Sequence, residues 1–187
     1  MLALVTIDMQ RWMFRYPERA SQIPSLVDNI NALTNAFIEV GLPIFDVQTI
    51  HKADRSTWSR LMSKYNYSCL IEGTQDAKLV EGYLLPEEAH QIKKTANSAF
   101  LGTTFETSLK SANITELVLT GVFIDGCVGL TAADAAQRGF DVIFVDDAIG
   151  HTQTDRRTAI LDWLTDDYEL KLQTTEQILA RVRARPS

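Results

Sequence analysis

The sequence predicts an α/β fold in which helices cover both faces of a six-stranded, mainly parallel sheet. Two observations carry this. Short apolar runs without polar alternation, such as LALVTI at 2–7 and LVLTGV at 117–122, suit strands buried on both faces. Segments of helical period separate these runs, so strand and helix alternate from end to end. A chain of 187 residues, 45% hydrophobic and 22% charged, suits a single domain over residues 1–187. A domain of that size buries enough surface to fold without a disulfide or a structural metal.

The elements follow in order. The first strand is Leu2 to Ile7. A helix runs from about Pro24 to Val40, because Leu26, Ile30, Leu33, Phe37 and Val40 step by four and three and so share a face. Gly41 and Pro43 stop it, and Pro43 to Val47 forms the second strand. Residues 50–75 show no period and are too long for a plain connection, as functional loops often are. A third strand is expected near Gln91 to Thr95, a short helix at Thr104 to Ser111, and a fourth strand at Leu117 to Val122. A helix from Cys127 to Arg138 ends at Gly139. A strand at Val142 to Val145, a helix at Asp155 to Leu164, a strand at Leu170 to Leu172 and a helix at Glu176 to Val182 complete the series. The tail RVRARPS reads as a frayed end. The expected architecture is a Rossmann-like α/β/α sandwich with strand order 3-2-1-4-5-6, which takes ligands beyond the carboxyl ends of its strands.

Composition narrows the function. A net charge of −6 argues against nucleic acid, which needs a cationic surface. Two cysteines, Cys69 and Cys127, do not make a disulfide scaffold. The start, MLALVTIDMQ, has neither a basic leader nor a cleavage site, and no apolar run is long enough to span a bilayer. A cytoplasmic protein without a membrane partner is expected. No phosphate-cradling GxxxxGK[ST], no GxGxxG and no CxxC is present. His51, His90 and His151 stand apart, without the close spacing of metal ligands, so structural or surface roles suit them best.

A cysteine, an aspartate and one of two adjacent lysines could carry chemistry. Cys127 lies between an apolar strand and an Ala-rich helix, where the helix dipole favours the thiolate; a lone cysteine is more often a small packing residue. Asp8 ends a buried strand, a place for a functional carboxylate or for one that caps the next turn. Lys93 and Lys94 are neighbours in QIKKTANSAF, so a strand sends them to opposite faces, one to solvent and one towards a site. Asp8, a lysine of strand three and Cys127 can converge at the carboxyl edge of the sheet. The segment HKADRSTWSRLMSKY sets Lys52, Arg55, Arg60 and Lys64 against Asp54 alone. It is a solvated face or an attractor for an anionic substrate.

Four stretches, LVTIDMQRWMF, HKADRSTWS, KTANSAFLGTTFETSL and LVLTGVFIDGCVGLTAADAAQRGFDVIFVDDAIG, together resemble the isochorismatase-like cysteine hydrolases. That family includes nicotinamidases, N-carbamoylsarcosine amidases, ureidoacrylate and biuret amidohydrolases, and isochorismatases. The resemblance implies that Asp8 is the general base, Lys94 the lysine (four residues before the SAF triplet that begins at Ser98), and Cys127 the nucleophile. It implies a cis peptide between Val122 and Phe123, and an oxyanion hole made of the backbone N–H groups of Phe123 and Cys127. A substrate pocket taking in Gln10, Phe14, Trp58, Phe100 and Phe123 is expected with it.

The departures from the family are also informative. Phe123 and Ile124 stand where relatives often have smaller or polar residues, which narrows the pocket. Metal-binding nicotinamidases carry Asp-x-His after strand two; here Thr49 precedes His51, so neither a metal nor another cofactor is expected. The retained cysteine favours hydrolysis of a C–N bond in a small amide, ureide or carbamoyl compound through a thioester acyl-enzyme. The alternatives are vinyl-ether cleavage of an isochorismate-like acid, which needs no thiol, and a non-catalytic small-ligand-binding module. The family implies a homodimer or homotetramer.

Overall fold

The structure, a computed structural model, describes residues 1–184. Strand β1 (Leu2–Ile7) is followed by a 3-10 turn (Arg11–Phe14), α1 (Pro17–Ala20), α2 (Ile23–Glu39), β2 (Ile44–Thr49), α3 (Arg60–Tyr65), β3 (His90–Lys94), α4 (Phe105–Ser111), β4 (Glu116–Gly121), α5 (Cys127–Gln137), β5 (Asp141–Ile149), α6 (Thr154–Tyr168), β6 (Lys171–Gln173) and α7 (Thr175–Arg183). The six strands form one sheet in the order β3-β2-β1-β4-β5-β6. Every neighbouring pair is parallel.

Both faces of the sheet are buried, which explains strands without polar alternation. In β1, Leu2 and Leu4 pack with the apolar faces of α2 and α7, whereas Ala3, Val5 and Ile7 pack with residues of α4, α5 and α6. β5 divides in the same way, Ile143 and Val145 to one side, Val142 and Phe144 to the other. Each such fully buried side chain contributes about 1.5–3 kcal/mol relative to exposure. α2 ends where Gly41 turns to φ +64°, and the Leu42 N–H then closes onto the Phe37 carbonyl at 2.9 Å.

Some elements differ from the sequence expectation. β5 runs on to Ile149. Asp146 and Asp147 break the apolar run, but the sheet absorbs them through a register irregularity opposite Leu119–Gly121. The Asp147 carboxylate accepts hydrogen bonds from the Thr175 N–H and hydroxyl at the start of α7. The unpatterned segment 50–75 contains α3, capped by the Ser59 side chain on the Met62 N–H. It returns along the sheet edge through a bridge between His51 and Ile71. The tail expected to fray is helical through Arg183, since the Thr174–Gln177 capping box and buried Ile178 and Val182 hold α7 in place; residues 185–187 of that expectation lie outside the described residues. Among the described residues no helix is long and apolar enough to cross a membrane.

Candidate active site

β1 lies between β2 and β4, so strand order reverses there, which is where sheets of this kind take ligands, beyond the carboxyl ends of their strands. Asp8 directly follows β1 and Cys127 follows the turn after β4. Asp8 is fully buried and has φ +56°, a left-handed conformation that Asp tolerates better than most residues. Lys94 ends β3, two strands from Asp8. Its long stem passes Thr49, its register partner at the end of β2.

The ammonium and the carboxylate meet at a single cluster. Lys94 Nζ donates to Asp8 Oδ2 at 2.8 Å, to Thr49 Oγ1 at 2.6 Å and to the Ala96 carbonyl at 3.1 Å, and it lies 3.3 Å from Cys127 Sγ. Asp8 Oδ1 accepts from the Thr49 N–H at 2.8 Å and the Thr49 hydroxyl at 2.9 Å. The side chains of Asp8 and Lys94 have no solvent exposure. Lys93 points the other way, to an exposed ion pair with Glu72.

Electrostatics at the sulfur overturn one expectation. The helix dipole is expected to favour the thiolate. Instead the Cys127 thiol is pushed up from 9.0 to about 12, first by burial and then by the Asp8 carboxylate, with Lys94 opposing both. Lys94 is itself held above its ordinary range: burial works against the ammonium, but Asp8 and then Cys127 outweigh it. The physical reason is that Asp8 already neutralises the lysine, so its cation is only partly available to the sulfur. The resting site therefore holds a protonated thiol beside a carboxylate and an ammonium.

The turn between β4 and α5 sets the nucleophile. The Val122–Phe123 peptide is cis. Among the described residues, neither the Phe123 nor the Cys127 backbone N–H donates to a protein acceptor, while the Gly126 and Val128 N–H groups both close onto the Phe123 carbonyl. Two glycines allow this packing. Gly121 has φ +99°, and a Cβ there would stand 2.2 Å from the Ile7 carbonyl oxygen; at Gly129 it would stand 2.2 Å from the Ile124 oxygen. Side chains at these positions would push β4 off β1 and the turn off α5.

The profile of the isochorismatase domain matches residues 2–177. The chain belongs to the isochorismatase family. Within that family it is similar to the N-carbamoylsarcosine amidase of Arthrobacter sp, 26% identical over 180 residues that cover 91% of this chain and 66% of that enzyme. It is also 26% identical to nicotinamidase 3 of Arabidopsis thaliana over 150 residues, 78% of this chain and 71% of that one. The chain thus spans roughly two-thirds of the length of these curated relatives. A cysteine hydrolase from Pseudomonas syringae pv. phaseolicola 1448A has the same fold, with TM-score 0.88 at 20% identity, over 98% of this chain and 92% of that one.

The expected pocket residues of this isochorismatase-family hydrolase separate into two groups. Phe14 and Phe123 meet edge to face at 6.1 Å, beside the turn that carries Cys127. Trp58 packs on the Met62, Cys69 and Leu70 cluster of the 50–75 segment, its Nε1–H on the Lys52 carbonyl. Gln10 and Phe100 belong to the framework instead. The Gln10 amide is fully buried, donating to the Thr49 and Ala77 carbonyls and accepting from the Thr49 N–H, so no polar atom of it faces a ligand. The Phe100 ring, as buried as Phe14 and Phe123, packs against Phe105 and Phe140.

Two further residues touch the cluster. Thr49 bridges Asp8 and Lys94; the sequence marks it only as a missing aspartate, because its place depends on the register of β2 against β3. Asn97 Oδ1 lies 4.0 Å from Cys127 Sγ. His51 stays in the framework, its Nδ1 2.8 Å from the Thr57 carbonyl, and burial lowers its pKa. Among the described residues no three His, Cys, Asp or Glu side chains group as a metal site.

Proposed function

We propose that the protein is a cysteine-dependent hydrolase that cleaves a C–N bond of a small amide, ureide or carbamoyl compound through a thioester acyl-enzyme. The observation that carries this reading is Cys127 Sγ, at the head of α5, 3.3 Å from a Lys94 ammonium that is itself paired with buried Asp8. A thiol, a base within bonding reach and a group that fixes the base are what covalent catalysis requires. The named amidase and nicotinamidase relatives act on compounds of this class, which supports it.

The thiol sets the order of events. With its pKa near 12, almost no thiolate stands ready at neutral pH. Asp8 removes the proton as the sulfur attacks the carbonyl carbon, and the S–C bond forms. The oxyanion that develops falls to the free N–H groups of Phe123 and Cys127; one such donor is worth about 2.7–4 kcal/mol. The C–N bond breaks, and Asp8 returns the proton to the departing nitrogen. Asp8 then takes a proton from water, the hydroxyl adds to the thioester, the C–S bond breaks and Asp8 returns that proton to the sulfur. Lys94 keeps Asp8 oriented throughout, and Thr49 holds its other oxygen.

The test is a panel of small primary amides, ureides and carbamoyl acids read by ammonia release, with intact-mass detection of the acyl-enzyme after a rapid acid quench. Ammonia release with a covalent adduct on Cys127 is the expected result. Turnover of an isochorismate-like vinyl ether with no adduct, and no ammonia from any amide, would sink the proposal.

A further inference from the structure

The turn that carries the nucleophile, residues 122–127, packs against the loop after β5, residues 150–154. The backbones meet first. The Gly150 N–H donates to the Gly121 carbonyl and the Ile124 N–H to the Gly150 carbonyl, both at 2.9 Å. Beyond Ile124 the tie passes to one side chain. Asp125 Oδ1 accepts from the Thr152 N–H at 3.1 Å, and Asp125 Oδ2 accepts from the Thr152 hydroxyl. Among the described residues Asp125 has no cation within ion-pair distance, so its carboxylate is spent on Thr152. Thr152 is itself anchored from the far side. The Gln22 amide, at the head of α2, accepts from the His151 N–H at 3.1 Å and donates to the His151 carbonyl at 3.0 Å.

Asp125 stands midway between Phe123 and Cys127, whose backbone N–H groups are free of protein acceptors. A backbone N–H cannot be re-aimed by a side-chain rotation; the path of the chain on either side of it sets its direction. Gly126, the next residue, has no side chain with which to brace that path. Donors to an oxyanion are useful only about 2.7–3.1 Å from where the charge develops, and a misplacement of about 1 Å can cost about 10²-fold in rate. Hydrogen bonds to a carboxylate are roughly twice as strong as neutral ones, and two of them from one residue fix direction as well as distance.

We infer that Asp125 is a positioning residue: through its clamp on Thr152 it holds the Phe123 and Cys127 N–H groups converged on the oxyanion, without itself touching the substrate. This rests on the acyl-transfer chemistry proposed above. It assigns the loop after β5 a part in catalysis, as the post to which the nucleophile's turn is tied.

The test compares two reagents at one thiol. Iodoacetamide alkylates Cys127 at a saturated carbon and develops no oxyanion. p-Nitrophenyl acetate acetylates it through a tetrahedral oxyanion, with the S–C bond formed and p-nitrophenolate expelled. Both rates are followed by mass spectrometry of the Cys127 peptide at fixed pH, on protein shown folded by circular dichroism. The ratio of acetylation to alkylation should fall about tenfold or more in Asp125→Ala. It should fall less in Thr152→Val, which keeps the N–H and loses the hydroxyl, and recover in Thr152→Ser, which keeps both donors. Asp125→Ala combined with Thr152→Val should lose no more than Asp125→Ala alone, because both remove one interaction. A ratio in folded Asp125→Ala equal to that of wild type overturns the inference, and so does a loss that strikes both reagents equally, since that would place the effect at the thiol. Should Asp125→Ala not fold, an unchanged ratio in Thr152→Val overturns it. Wild type that is alkylated but not acetylated at Cys127 does so too. Ammonia release from the amide panel separates this inference from the reading on which it rests. A fallen ratio with no ammonia from any amide supports Asp125 and counts against the amidohydrolase reading. An unchanged ratio with ammonia released leaves that reading standing and removes Asp125 from it.

Discussion

Replacing Asp8 by Asn should make Cys127 more reactive and the enzyme less active. Burial and the Asp8 carboxylate together raise the thiol from 9.0 to about 12. At pH 8 a pKa of 12 leaves about one thiolate in 10⁴, whereas a pKa of 9 leaves about one in ten, a gain near a thousandfold. Intrinsic nucleophilicity falls with pKa at a Brønsted slope of about 0.4–0.5, which reduces the gain in rate to roughly 30- to 60-fold. Burial, the larger cause, persists in the variant, while Lys94 loses its counter-ion and acts on the sulfur alone. An acceleration of about tenfold in iodoacetamide labelling at pH 8 is the expected result. Turnover should drop by about 10²–10⁴, the usual worth of a general base. The assay is the pH–rate profile of labelling at the Cys127 peptide, on protein shown folded by circular dichroism. A variant that labels no faster than wild type, with an unmoved midpoint, would refute the claim that Asp8 keeps the proton on sulfur.

Other outcomes follow from the same geometry. Cys127→Ala should abolish hydrolysis and the acyl adduct while melting like wild type, whereas Cys69→Ala, in the Met62–Leu70 cluster, should keep its turnover; near wild-type kcat in the first would exclude covalent catalysis. Lys94→Ala leaves the Asp8 carboxylate buried without its cation, which typically costs about 3–5 kcal/mol, or about 10 °C in Tm for a chain of this size; it should also move the Cys127 labelling midpoint further up. Lys93→Ala, losing only an exposed pair with Glu72, should do neither. Gly121→Ala sets a Cβ against the Ile7 oxygen at φ +99° and should lower Tm by a comparable amount, as scanning calorimetry would read. Stability should also fall in alkali. Both Lys94 and Cys127 hold their protons more tightly folded than unfolded, so the stabilisation is complete below about pH 9 and drains away towards pH 12 as the unfolded chain loses protons first. Urea midpoints measured from pH 8 to 11 would show the decline, and Cys127→Ala should blunt it.

The sequence determined the fold class because burial on both faces leaves a direct mark. Runs such as LALVTI and the four-and-three steps of α2 are legible one segment at a time. Asp8, Lys94 and Cys127 were legible as candidates for a similar reason: each sits at the end of an apolar run or beside a helix start, and strand alternation alone sends Lys93 and Lys94 apart. Contacts between distant segments left no such mark. Nothing in the order of residues places Thr49 between Asp8 and Lys94, because that depends on the register of β2 against β3. Gln10 and Phe100 sit next to the right motifs, yet packing turned one into a backbone clamp and the other into core. The Cys127 thiol is the clearest case. A helix start and a lysine favour ionisation, but a buried carboxylate that neutralises the lysine and desolvates with the sulfur reverses the sign, and that balance is set by distances and burial in three dimensions.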